Sequence, residues 1–258
     1  MLSYQHSYHA GNLADVHKHS LLAWALEYLT QKEKPLSYIE THSGRGLYST
    51  THPHATKTGE AAQGILRIQS TLDVKHPYKK VLSEIQRAHG SDIYPGSPAI
   101  AAASLRAQDK LYLAELHPTE FRHLEQTIVG KNVSCAHKDG FEFAYSICPP
   151  TPRRGLMLID PSYEIKTDYE IIPKHMKKLS KAWNVGTICL WYPILKDRRH
   201  AAMVNLIQSA FPHALKHEVS FPPAKDGHGM IGSAMFVVNP PYGMDGAAAQ
   251  IDEFFKTA

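Results

Sequence analysis

The 258 residues predict an α/β fold, a largely parallel sheet of seven strands with helices on both faces. Three observations predict it. Short apolar runs alternate with stretches of helical period along the chain. One of these runs, Leu156-Met157-Leu158-Ile159, is continuously apolar and ends on Asp160-Pro161. Such a run reads as a parallel strand buried on both faces with a polar group at its carboxyl end, where ligands bind in open α/β sheets. Another run, residues 36–41, leads into His42-Ser43-Gly44-Arg45-Gly46, and glycine there permits a tight turn and close approach of backbone to ligand.

Composition narrows the class. A chain of 258 residues is near the upper limit for one core, which allows one domain with an insertion or two domains. No stretch approaches the roughly 20 apolar residues of a membrane helix. Met1-Leu2-Ser3-Tyr4-Gln5-His6 has neither the basic nor the apolar region of a signal peptide, so cytoplasmic location is the expectation. The three cysteines lie far apart without a Cys-x-x-Cys pair and read as reduced. A net charge of +4 permits an anionic partner, and 17 histidines are the one compositional oddity.

Taken in order, residues 4–19 are dense in polar aromatic groups. Gly11-Asn12 marks a turn, and Asn12 or Asp15 can cap a helix running to Leu29. His17-x-His19 with Asp15, and His52-Pro53-His54, invite a metal reading. Histidines two apart on a helix point roughly 200° away from each other, which argues against one ion held by both. After the first strand, residues 36–41, the glycine turn lacks the third glycine of the dinucleotide fingerprint, so nicotinamide binding is disfavoured. Residues 47–92 have helical spacing around 60–68 and 77–85 and exceed what a crossover needs. We read them as an inserted helical subdomain in a frame of 1–46 and 93–258, either solvated scaffold or a nucleic-acid contact.

Tyr94-Pro95-Gly96-Ser97-Pro98 reads as a rigid turn before a helix over 99–106. The second strand, 111–116, ends on Glu115, placed to accept from a ribose diol or simply to cap the next helix. A helix over 119–128 leads to a third strand, 132–141, that closes on Asp139-Gly140. The fourth strand carries Asp160. A lysine-rich helix over 169–183, a fifth strand at 186–193, a helix over 200–210 and closely spaced strands at 215–221 and 233–239 follow, the last two suggesting a hairpin. Asp160, the Pro161 carbonyl and Tyr163 together offer two acceptors for an amino group and an aromatic face for a flat ring. That set suits a nucleobase with an exocyclic amine.

The chain resembles the RlmJ family of bacterial 23S ribosomal RNA adenine-N6 methyltransferases. The residues that carry the resemblance run essentially from end to end: Tyr4-x-His6-x-x-His9-Ala10-Gly11-Asn12-x-Ala14-Asp15-x-x-Lys18-His19, Thr41-His42-x-Gly44-x-Gly46, Tyr94-Pro95-Gly96-Ser97-Pro98, Glu115-Leu116-His117-Pro118, Asp139-Gly140-Phe141, Arg153-Arg154-Gly155, Asp160-Pro161, Lys166-Thr167-Asp168-Tyr169 and Leu190-Trp191-Tyr192-Pro193. The resemblance implies a Rossmann-like, seven-stranded S-adenosylmethionine-dependent methyltransferase with a small inserted helical subdomain. It implies methylation of one adenine, adenine 2030, in 23S ribosomal RNA. It places S-adenosylmethionine contacts on His19, His42, Ser97, Glu115, Asp139, Gly140 and Asp160. Tyr4 and Lys18 fall beside the substrate pocket, and Asp160, Pro161 and Tyr163 form the catalytic set, with Tyr163 stacking on the adenine. The departure is Ser162, where the family has a second proline that stiffens the loop.

Asn239-Pro240-Pro241-Tyr242 matches the family tetrad better than Asp160-Pro161-Ser162-Tyr163 does. Only sixteen residues follow Tyr242, too few for the strands that belong behind a catalytic loop, and we read it as a strand-ending turn. Arg153, Arg154, Lys196, Arg198 and Arg199 are candidate phosphate contacts, which position RNA without specifying its sequence. We expect a monomer with 23S ribosomal RNA as partner and no membrane or metal. The alternatives are a same-fold enzyme acting on DNA adenine or a protein side chain, a non-catalytic RNA-binding relative, and a histidine-rich metal hydrolase.

Overall fold

The computed structural model describes residues 5–224, 227 and 229–256. A short 3-10 turn, His6–Tyr8, leads into α1, Leu13–Thr30. Asn12 caps α1, its side chain accepting from the Asp15 amide at 2.9 Å. Next come β1, Ser37–Glu40, β2, Leu47–Ser49, the helices α2, Pro53–Thr58, α3, Glu60–Gln63, α4, Ile65–Ile68, and α5, Pro77–His89, and then β3, Ile93–Pro95. The remaining elements alternate: α6, Ser97–Ser104; β4, Lys110–Ala114; α7, Pro118–Thr127; β5, Val133–Ala136; α8, Gly140–Ile147; β6, Gly155–Ile159; α9, Asp168–Ala182; β7, Thr187–Leu195; α10, Ala201–Ala210; β8, Leu215–Ser220; β9, Met230–Val238; and α11, Met244–Phe255.

Seven strands form one sheet in the order β5-β4-β1-β6-β7-β9-β8. All neighbours are parallel except β9, which runs antiparallel to β7 and β8, so β8 and β9 form the expected hairpin. The strand order turns back between β1 and β6, the switch point where the carboxyl ends open a crevice. Two cores cover the faces. One packs α1, α5, α6 and α11 on the sheet, with Leu22, Leu26, Tyr78, Ile100 and Ile251 buried; the other packs α8, α9 and α10, with Phe141, Met176, Trp183 and Ile207. Every residue of β6 is buried, as its continuous apolar run requires.

Two stretches differ from the sequence reading. Residues 132–141 divide into β5 and the start of α8, because Asp139 Oδ1 accepts from the Phe141 and Glu142 amides and so caps a helix. Gly140 must be glycine, since a Cβ there would lie 1.9 Å from the Thr41 carbonyl oxygen of the β1 exit. Tyr94-Pro95, read as turn, pairs as β3 with β2 in a small antiparallel ladder at the base of the helical 47–92 segment. Proline obscures such a strand because it donates nothing to a ladder.

Helix α1 is buried around most of its circumference, polar side chains included: Asp15, His17, Lys18, His19 and Ser20 are all under 5% exposed. Such a helix needs neighbours on every side. It lies against α5, α6, α11 and β9.

Candidate active site

A cavity of about 920 Å³ opens at the carboxyl ends of β1, β4 and β6. The turn after β1 borders it through His42, Ser43 and Gly44, with Gly44 and Gly46 at φ +63° and +87°, a conformation glycine adopts without strain. Glu115, at the end of β4, accepts from the Gly44 amide and from the His117 amide, each at 2.7 Å. The local role offered for Glu115 is filled by the amide just before α7, and the same carboxylate lines the cavity. His19, His42, Ser97, Asp139, Gly140, Asp160, Pro161 and Tyr163 line the same space. Tyr4 lies outside the described residues.

Lys18 is the electrostatic centre. Its ammonium stands 2.6 Å from Asp160 Oδ2 and 3.0 Å from Asp15 Oδ1, with its side chain 5% exposed. Burial disfavours the ammonium, and the two carboxylates more than offset it, leaving the Lys18 pKa above its ordinary value. Asp15 also accepts from the Gly11 amide at 2.9 Å and pairs with His6 at 2.9 Å. Burial alone would raise its pKa; His6 and Lys18 hold it well below the usual carboxylate range. Asp15 thus anchors Lys18 rather than capping α1.

Glu40, fully buried at the end of β1, shares hydrogen bonds with the Ser97 hydroxyl and, at 2.8 Å, the Tyr38 hydroxyl. Sequence reading passed over it, although a glutamate ending a buried strand was the available signal. Burial pushes Glu40 up to about 8 against the lowering effect of those hydroxyls. Burial also pushes His19 down to about 3 and His42 to about 4. His19 Nδ1 bonds the Tyr94 hydroxyl at 2.7 Å. Its Nε2 and Ser43 Oγ, both on cavity residues, have no hydrogen-bond partner among the described residues. Buried polar atoms left so cost about 1–3 kcal/mol each until a ligand satisfies them.

These shifts oppose one another in stability. The depressed histidines contribute stability that is present above their ordinary value of 6.5 and lost as pH falls toward 4 and 3. Glu40, raised from 4.5 to about 8, contributes stability that is complete below 4.5 and lost as pH rises toward 8. Two histidines outweigh one glutamate on the acid side, so the melting temperature of the ligand-free protein should peak near about pH 6.5. Glu40→Gln should flatten the decline between about pH 6.5 and 8. Thermal melts across that window check it, and a decline equally steep in the variant would assign the effect elsewhere.

The loop after β6 is strained and braced. Tyr163 has φ +54°, a left-handed conformation unusual for a side chain of its size and concentrated at functional sites. Its hydroxyl donates to the Trp191 carbonyl at 2.8 Å and its ring stacks on Tyr169 at 4.8 Å, leaving Tyr163 only 8% exposed. The candidate phosphate contacts separate. Lys196 and Arg199 line the cavity. Arg153 and Arg154 precede β6 and stand at the opposite edge of the sheet, where Arg154 donates to the Lys34 carbonyl at 2.9 Å and to that of Leu29, and Arg153 to Asn184 at 3.3 Å. They tie scaffold together there, away from the cavity.

Asn239-Pro240-Pro241-Tyr242 also lies at that opposite edge. Val238 pairs with Ile188 at the beginning of β7, and Asn239 donates to the Asn184 and Gly186 carbonyls, both at 3.0 Å, closing a turn. His17 and His19 diverge as helix geometry requires, His17 toward Ser233 and His19 toward Tyr94. Among the described residues no three His, Cys, Asp or Glu are grouped to hold a metal ion, and no helix is long and apolar enough to cross a membrane.

Comparison with known proteins supplies the family. Residues 33–258 match the family described as ribosomal RNA large subunit methyltransferase D, RlmJ. The chain belongs to the RlmJ family. Relatives include the ribosomal RNA large subunit methyltransferase J of Escherichia coli K12, 38% identical over 95% of this chain and 89% of that protein. The enzyme of the same name from Haemophilus influenzae is 39% identical over the same shares. Protein LPL1258 of Legionella pneumophila, known from its crystal structure, superposes with a TM-score of 0.87 at 36% identity, covering 96% of this chain and 93% of its own. RlmJ membership makes this protein a ribosomal RNA methyltransferase, and the α/β sheet is the expected Rossmann-like frame.

Proposed function

We propose that the protein transfers a methyl group from S-adenosylmethionine to N6 of one adenine in 23S ribosomal RNA, adenine 2030 by family resemblance. The observation that carries this reading is Asp160-Pro161 at the carboxyl end of β6, facing the cavity with one carboxylate oxygen held by Lys18. The cofactor fits the residues present: Glu115 and Asp139 supply carboxylates, the glycine turn supplies close backbone, and the unpartnered His19 Nε2 and Ser43 Oγ supply polar atoms. Bound there, it supplies an electrophilic sulfonium methyl.

An adenine N6 amine is a weak nucleophile because its lone pair is delocalised into the ring. Asp160 Oδ1 and the Pro161 carbonyl accept from that amine and favour the tetrahedral nitrogen required for in-line attack, an interaction that strengthens toward the transition state. Lys18 fixes Oδ2, so Oδ1 is the oxygen left to receive the proton that the amine loses and pass it to solvent. Holding both partners in line supplies much of the remaining acceleration. The base reaches the cavity only after leaving its stack, with Tyr163 and its braced loop beside it. Lys196 and Arg199 at the rim are the cations we assign to phosphate, and we read the 47–92 segment as an inserted subdomain of the frame.

Tritiated methyl transfer to unmodified large-subunit ribosomal RNA, with DNA in parallel, tests the reading. We expect label on a single RNA adenine and none on DNA. Label at another atom, or on DNA in preference, would replace the substrate assignment while keeping the chemistry.

A further inference from the structure

Among the sequence motifs, Leu190-Trp191-Tyr192-Pro193 has no task assigned above. Trp191 is half-buried on β7 and lines the large cavity. Lys18 Nζ stands over its ring, 5.6 Å from the centroid, and the Tyr163 ring lies 6.0 Å away at 59°. The indole therefore borders the Lys18–Asp160 pair on one side and the strained loop on the other.

The indole N–H points away from this pair and donates to Ser233 Oγ on β9 at 2.9 Å. Ser233 Oγ lies 2.8 Å from His17 Nδ1, His17 Nε2 lies 2.9 Å from His217 Nδ1, and His217 Nε2 lies 3.0 Å from Asp252 Oδ1. An indole N–H can only donate and a carboxylate oxygen can only accept. One direction satisfies every member: Trp191 to Ser233, Ser233 to His17, His17 to His217, His217 to Asp252, with the buried His17 ring neutral. Burial, with His217 beside it, keeps His17 well below its ordinary pKa, in agreement with a neutral ring. Ser233 and His17 are fully buried, between Trp191 at the cavity and Asp252, half exposed, at the surface.

A tryptophan whose single donor is engaged elsewhere presents only ring surface to a ligand. Tyr163 has less to offer, with one ring face on Tyr169 and its hydroxyl on the Trp191 carbonyl. We propose that Trp191 contacts the substrate, its ring receiving the flat face of the nucleobase brought to Asp160, and that Ser233, His17, His217 and Asp252 are positioning residues that hold the indole in place. The inference rests on the cavity being the site of base methylation.

Steady-state methylation of an unmodified 23S ribosomal RNA fragment by the full chain tests it, beside calorimetric binding of S-adenosylhomocysteine. Trp191→Ala should raise the RNA KM by about tenfold, the scale of one lost base–aromatic stack, with cofactor affinity unchanged within about twofold. Trp191→Phe should recover most of that loss. Ser233→Ala should raise the same KM by about threefold, a fraction of the full stack. In the double variant Trp191→Ala with Ser233→Ala, KM should match Trp191→Ala alone, because Ser233 acts through the indole. An unaltered RNA KM in Trp191→Ala, or losses that multiply in the double variant, overturns the inference while wild-type methylation upholds the function. A wild type that methylates no ribosomal RNA overturns both.

Discussion

Asp160→Ala should lower methyl transfer by at least about 10³-fold, the upper scale for loss of one transition-state hydrogen-bonding partner. The substitution removes the acceptor on the amine and the exit for its proton together, which places the loss in the chemical step. The fold should survive it. Lys18 keeps Asp15 at 3.0 Å, so the ammonium is not left buried and alone, and the Asp160 side chain is itself 14% exposed. Single-turnover rates with saturating RNA, beside thermal melts of the same preparation, check both halves. Asp160→Asn, which keeps the shape and one acceptor oxygen, should retain more activity than alanine. Turnover within tenfold of wild type for Asp160→Ala would remove the carboxylate from the centre of the mechanism.

Lys18→Met should be the more damaging change to stability, by roughly 3–5 kcal/mol, the scale for removing one partner of a buried ion pair. Its ammonium is the shared partner of Asp15 and Asp160, and without it the fully buried Asp15 loses its nearest cation but one and Asp160 loses its only ion pair among the described residues. Adding Asp15→Asn to Lys18→Met should return part of the loss, because it removes a buried charge that then keeps only His6 and the Gly11 amide. Equilibrium denaturation measures this. A loss under about 1 kcal/mol for Lys18→Met would mean that solvent reaches the pair freely, as in surface ion pairs. The contrast with Asp160→Ala separates the two residues: one variant folds and does not turn over, the other loses the frame that aims the carboxylate.

The sequence disclosed the frame better than the wiring. Most strands of the main sheet were legible as short apolar runs, and the glycine turn and Asp160-Pro161 marked which ends open on the cavity. The position of the second tetrad was legible too, since a motif with no strands behind it cannot stand at the catalytic edge. The Lys18–Asp160 pair was not legible, because partners 142 residues apart leave no periodic trace. Helix α1 hid its burial, as polar residues on an enclosed helix resemble those on a solvated one. Arg153 and Arg154 looked like RNA contacts by charge alone; only the direction of β6 shows that they stand at the far edge.

The enclosure of α1 also orders events during biosynthesis. This helix leaves the ribosome early, yet His17 waits for Ser233, 216 residues later. At roughly 5–20 residues per second that delay is about ten to forty seconds. Throughout it the nascent helix carries apolar surface and unmatched charge on several sides at once. Lys18 meets Asp160 when β6 arrives, but the side of α1 toward β9 closes only when nearly the whole chain has been made. A truncated product lacking β9 therefore has Asp160 and Lys18 without the strand that covers α1.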